Sequence, residues 1–177
     1  MSKFWGAALV VLASTSMAAE QGGGKVEVTG AHVCCNQCVR IVGNILGKVD
    51  GVSDVLADSA TRTVTFTAKD EAAAQRGVKA LIDGGFYGKA TAGGKELKVA
   101  LPAQTPSKEK TSVVVVKDVH VCCGQCQKAI NKVFADSKVS FEGKGPQRTV
   151  RIEGKDLVPA TVLQSLLKAG FYGKVEK

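Results

Sequence analysis

Two heptapeptides, "HVCCNQC" at 32–38 and "HVCCGQC" at 120–126, hold all six cysteines and both histidines of the chain. In each, two cysteines stand three residues apart: Cys35 with Cys38, and Cys123 with Cys126. On the first turn of a helix that spacing puts both sulfurs on one side. Unpaired N–H groups and the positive end of a helix dipole favour thiolates there, so the thiol pKa values are expected to fall. Thiolates are soft ligands and select Cu(I), Zn(II), Hg(II) or Cd(II) over hard ions. Cys35, Cys38, Cys123 and Cys126 are therefore the candidate metal ligands.

A third thiol, Cys34 or Cys122, precedes each pair. Successive strand side chains point to opposite faces, so it can join the pair only where the loop turns sharply. Three thiolates suit trigonal Cu(I), Hg(II), Cd(II) or As(III), and with His32 or His120 they make a tetrahedral Cys3His zinc set. The extra thiol could instead bridge a second Cu(I), or pack at the strand end as a bystander. For the histidines, a solvated or hydrogen-bonded side chain is the plainer alternative. A Cys-x-x-Cys at a helix start is also the device of thiol oxidoreductases, which makes disulfide exchange the rival chemistry; an interaction module that uses no metal is the other alternative. Adjacent Cys34 and Cys35 are too close in the chain for an easy disulfide, and clustered cysteines do not staple distant segments.

The elements that must position these residues come twice. "RTV" recurs at 62–64 and 148–150, and "GFYGK" at 85–89 and 170–174, in the same order as the heptapeptides. The economical account is two copies of one unit, 25–100 and 112–177, joined by the proline-containing linker 101–111. Each copy reads as strand, helix, two strands, helix, strand. "KVEV" and "SVVVV" are β-branched, Cys38, Ile41, Ile45 and Val49 fall at helical spacing, and "VSDVLAD" and "RTVTFTA" alternate. Asp50-Gly51 would stop the first helix, and Asp70 and Asp156 would cap the second helix of each copy. This order predicts an α+β protein of two tandem ferredoxin-like βαββαβ domains, each an antiparallel sheet with both helices on one face. "TAGGKELKVAL" at 91–101 is extra in the first copy and suggests an added edge hairpin. Apolar residues switch parity at Gly30 and at Asp118, which predicts a bulge or kink just before each cysteine loop.

Residues 1–19 read as a secretory signal: Lys3, then the uncharged run Phe4 to Ala13, then small residues at Ser16 and Ala18. The run is shorter than a membrane span. Export implies a secreted or periplasmic location, with no embedding in the membrane once the signal is removed. The formal charge of +8 is spread along the chain, and few aromatics could stack bases, so nucleic-acid binding is not expected. No hydrolase motif is present, and enzymatic activity is not expected.

The Cys-x-x-Cys at a strand-to-helix corner, with "GFYGK" after the second helix, resembles the heavy-metal-associated domain family in both repeats. That family includes copper chaperones, amino-terminal modules of metal-transporting ATPases and a periplasmic mercury-binding protein. The resemblance implies the same fold and a linear two-sulfur site for Cu(I) or Hg(II); Cu(I) is the first expectation, and Zn(II) and Cd(II) stay open on the thiolate chemistry above. It implies one ion per loop, held at an open corner and passed to a metal-transporting ATPase or other metal-accepting protein by ligand exchange. Phe86 and Phe171 take the place of the family's aromatic near the metal loop. Val33 and Val121 stand where the family has methionine, His32 and His120 where it has glycine, and the third cysteine of each loop is a further departure.

Overall fold

A computed structural model describes residues 23–102, 104 and 106–176. The leader expected over 1–19 lies outside them. The first repeat comprises β1 (Gly24–Thr29), α1 (Asn36–Leu46), β2 (Val52–Asp58), β3 (Thr63–Ala68), α2 (Glu71–Asp83), β4 (Lys89–Ala92) and β5 (Lys95–Glu96). The second comprises β6 (Thr111–His120), α3 (Gly124–Val133), β7 (Lys138–Glu142), β8 (Gln147–Leu157), α4 (Pro159–Lys168) and β9 (Lys174–Val175). Their sheets run β2-β3-β1-β4-β5 and β7-β8-β6-β9, with every pairing antiparallel. In both, the first strand lies between the third and the fourth, which is the ferredoxin-like order. The chain is therefore an α+β protein of two ferredoxin-like units. The added hairpin is β4–β5, turning through Gly93 and Gly94.

Alternation along the strands buries one face. Val26 and Val28 of β1 and Val64, Phe66 and Ala68 of β3 are buried, and Val114, Val116, Val150 and Ile152 are their counterparts in the second unit. The helices cover that face with Cys38, Val42 and Leu46 from α1, and with Val78, Leu81 and Ile82 from α2. The α1 stripe is thus rotated from the one expected: Ile41 and Ile45 lie at its margin, and Val49 follows the helix. Helix α1 stops at Gly47, before the expected Asp50-Gly51, and Gly51 instead turns the chain into β2 at φ 80°.

Asp70 caps α2 as expected, accepting a hydrogen bond from Ala73 N at 2.6 Å. Asp156 does not cap α4. It remains inside β8 at φ 56°, and the N-cap is Val158, with Pro159 opening the helix. Proline there supplies a pre-set φ and needs no N–H partner, so a side-chain cap is dispensable.

Both expected kinks are present. In β6 the register slips between Val116 and Val119, with Asp118 at φ 59°. In the first repeat the chain leaves β1 at Gly30, φ 80°. Each slip turns the next residues inward, so Ala31 and Val33, like Val119 and Val121, are fully buried. The cysteine loops are thereby aimed by the core.

Candidate metal centre

Cys35 and Cys123 are the N-cap residues of α1 and α3, both with extended backbone. Cys38 and Cys126 follow one turn later on the buried face and are fully buried. The remaining four thiols are half-buried, and all six are free.

The two loops do not open separately to solvent; they face each other. Within the first loop Sγ of Cys38 is 3.7 Å from Cys34 and 3.6 Å from Cys35. Within the second, Sγ of Cys126 is 3.9 Å from both Cys122 and Cys123. Between loops, Cys34 lies 3.9 Å from Cys123 and 3.7 Å from Cys126, Cys35 lies 3.7 Å from Cys123, and Cys38 lies 3.4 Å from Cys122. The expectation of two open corners, one per repeat, is corrected: the thiols form a single cluster at the junction of the units.

The junction is built from the second repeated motif. Phe86 and Phe171 pair as an isolated antiparallel bridge, Tyr87 N donates to Gly170 O at 3.0 Å, and Tyr172 N donates to Gly85 O at 2.9 Å. His32 N donates to the same Gly170 oxygen at 3.1 Å. The backbones approach so closely that only glycine fits. A Cβ on Gly85 (φ 86°) would sit 2.5 Å from His120 N, and one on Gly170 (φ 90°) would sit 2.6 Å from His32 N. Arg62 clamps the same seam through Gly30 O at 2.9 Å and Ala169 O at 2.7 Å. On the other side of the seam Gln147, the neighbour of Arg62's counterpart Arg148, donates to Asp83 O at 2.8 Å. Each phenylalanine therefore packs against the other repeat's loop: Phe171 stacks on His32 and Phe86 lies tilted against His120, both with ring centroids 4.1 Å apart.

The histidines are not solvated. His32 is 7% exposed and His120 is 1% exposed. His120 Nε2 lies 3.5 Å from Cys38 Sγ, in the opposite repeat. His32 Nε2 and His120 Nδ1 are buried with no hydrogen-bond partner among the described residues. Four groups bring metal-ligating atoms within 4.8 Å of one another: Cys34/Cys35/Cys38, Cys35/Cys122/Cys123, Cys38/Cys122/Cys126 with His120, and Cys34/Cys126 with His32. Each of the four except the first mixes the two loops.

Crowding also changes the electrostatics expected from helix ends alone. The neighbouring Cys126 sulfur holds the Cys38 thiol well below its ordinary range, against the opposing effect of burial and with help from His120. Cys126 is driven the other way, first by Cys38 and then by burial. One proton is in effect shared by that buried pair, since two bare sulfur anions so close repel. Burial pushes up Cys34, and the Cys38 charge adds to it; Cys122 is raised by burial and its contacts with Cys38. Burial opposes ionisation of Cys123 too, but N–H groups of Cys126 and Gln125 prevail and bring it to about 7. Burial, then the Arg62 charge, lowers His32 to about 4. Where protons remain on these sulfurs, a cation that binds them displaces the protons to solvent.

Arg62, Gln147, Gly85 and Gly170 were not read as site residues from the sequence. Gly85, Gly170 and Arg62 belong to the recurring "GFYGK" and "RTV", which mark the repeat and, through Phe86 and Phe171, the neighbourhood of the loop; Gln147 lies outside both.

No family model matches the chain, and no curated protein matches it. Among solved structures it aligns with the solution structure of the N-terminal soluble domains of CopA from Bacillus subtilis. The identity is 15%, over 87% of this chain and 94% of that one, with a TM-score of 0.28. Likeness at that level carries no argument; the fold rests on strand order and the centre on sulfur geometry.

Proposed function

We propose that this is an exported Cu(I)-binding protein of two heavy-metal-associated domains, which sequesters the metal in its cysteine loops and releases it by thiolate exchange. The observation that carries the reading is the convergence of six free thiols, with S–S separations of 3.4–3.9 Å, on one half-buried point. A metal at about 2.3 Å from three in-plane thiolates requires sulfurs about 4.0 Å apart, so the loops need only small adjustment. Soft sulfur donors favour Cu(I), and two buried histidines beside the sulfurs add a second donor type. Burial of Cys38 and Cys126 favours holding the ion, while the half-exposed outer thiols leave a route for exchange with a metal-accepting protein such as a metal-transporting ATPase. The apolar run Phe4 to Ala13 supports export. Among the described residues no helix is long and apolar enough to cross a membrane.

The test is competition for metal under anaerobic, reducing conditions. The reduced protein is titrated against a chromogenic Cu(I) chelator, with Zn(II), Cd(II) and Hg(II) arms in parallel. The reading predicts that it strips Cu(I) from the chelator and keeps it in preference to Zn(II). The rival, disulfide exchange, predicts instead that the metal-free protein reduces a substrate disulfide catalytically and leaves Cu(I) on the chelator.

A further inference from the structure

The sulfurs are arranged as a set of triangles that share corners. Three triangles are Cys34/Cys35/Cys38, Cys35/Cys122/Cys123 and Cys38/Cys122/Cys126. The fourth is Cys34/Cys123/Cys126, with sides of 3.9, 3.7 and 3.9 Å. Every cysteine belongs to two of the four triangles, and any two triangles share one sulfur. That is the connectivity of four trigonal metal ions held by six doubly bridging thiolates.

We propose that the two repeats together bind four Cu(I) ions as one Cu4S6 thiolate cluster, each ion in one triangle and each sulfur bridging two ions. The proposal rests on the Cu(I)-binding reading above and deepens it by fixing the form of the cargo. It differs from one ion per loop in a definite way: three of the four triangles take sulfurs from both repeats, so neither loop alone can supply more than one complete triangle.

Trigonal coordination by soft thiolate is a geometry that Cu(I) accepts, and a tetrahedral four-sulfur zinc site needs four sulfurs that are all mutual neighbours. The sulfur triangles do not supply that set; the one four-donor group among those found completes it with His120. Charge balances without a redox step. The thiols that still carry protons lose them to solvent as four singly charged cations arrive, and with six thiolates the cluster carries two negative charges. Copper enters and stays as Cu(I). The third cysteine of each loop, Cys34 or Cys122, has a role in this arrangement that a two-sulfur site would not give it: without it, two of the four triangles are broken. His32 sits with Cys34 and Cys126, and His120 with Cys38, Cys122 and Cys126, so each buried ring borders one triangle.

The experiment is anaerobic native mass spectrometry of the reduced full-length mature chain, titrated with Cu(I) as its acetonitrile complex. The wild-type protein is expected to fill to four copper ions per chain, with the four-copper species already prominent when copper is scarce. Cys34→Ser and Cys123→Ser remove a corner from different repeats, and each breaks two triangles. Both are expected to lose the four-copper species and to hold no more than two ions. Far-ultraviolet circular dichroism of the same samples checks that the variants are folded. Saturation of the wild type at two ions, one per loop, would overturn the cluster while leaving Cu(I) binding intact. So would retention of the wild-type stoichiometry by folded Cys34→Ser. Failure to take up any Cu(I) would sink both the cluster and the function beneath it.

Discussion

Replacing Gly170 by alanine attacks the junction without touching a sulfur. Gly170 has φ 90°, and its missing Cβ points at the first repeat's backbone, 2.6 Å from His32 N. Two terms add. Holding an alanine in a left-handed conformation costs about 1–2 kcal/mol. The new methyl also cannot coexist with the hydrogen bonds that Gly170 O accepts from His32 N at 3.1 Å and Tyr87 N at 3.0 Å, and each is worth about 0.5–1.5 kcal/mol net. The expected loss is about 2–5 kcal/mol, a large part of a stability of about 5–15 kcal/mol. Gly93→Ala is the internal control. Gly93 is also left-handed, at φ 55°, but its Cβ would meet open space, so only the conformational term of about 1–2 kcal/mol applies. The assay is urea denaturation of the reduced, metal-free protein followed by far-ultraviolet circular dichroism. If Gly170→Ala costs no more than Gly93→Ala, the repeats are not docked through this seam, and the reasoning that unites the thiols fails.

Other consequences are simpler to state. Asp70→Ala should destabilise the first repeat by about 1 kcal/mol through loss of the α2 cap, read as a lower denaturation midpoint at unchanged slope; an unchanged midpoint would contradict the cap. His32 titrates at about 4 in the fold against an ordinary 6.5. The unfolded chain therefore takes up the proton first, and the stability this histidine contributes is present above pH 6.5 and is lost as pH falls from 6.5 through 4. The full effect is about 3 kcal/mol. His32→Phe keeps the stack on Phe171 and should flatten that part of the stability profile of the metal-free protein; parallel profiles for the two proteins would refute the assignment.

The fold could be read from the sequence because local signals agreed with one another. Period-two alternation in "RTVTFTA", the β-branched run of β6 and the cap at Asp70 all pointed to the same element order, whereas the expected alternation of "VSDVLAD" is broken by a register slip between Ser53 and Leu56. The misreadings came where more than one local solution existed. Pro159 made a cap at Asp156 unnecessary, and Gly47 ended α1 before Gly51 could. At the centre, residue type and spacing brought out Cys35, Cys38, Cys123 and Cys126, and the parity shifts at Gly30 and Asp118 located the turn into each loop. The face-to-face arrangement was not legible. It depends on Gly85 and Gly170 admitting the other repeat's backbone and on Arg62 reaching Ala169 O, which are all contacts between residues of different repeats. Periodicity describes how a segment meets its own core; it carries no information on which two edges of different domains meet.

The central claim is that thiols of the two repeats stand within bonding reach of each other, and a disulfide measures this directly. A variant retaining only Cys35 and Cys123, whose sulfurs lie 3.7 Å apart, is oxidised mildly at low protein concentration without metal. It is then cut by trypsin, which can cleave at Lys108 and Lys110 between the repeats. The account predicts an intramolecular Cys35–Cys123 disulfide that joins a first-repeat peptide to a second-repeat peptide in the mass spectrum and is released by reductant. Reduced thiols throughout, or crosslinks only between separate chains, would contradict it.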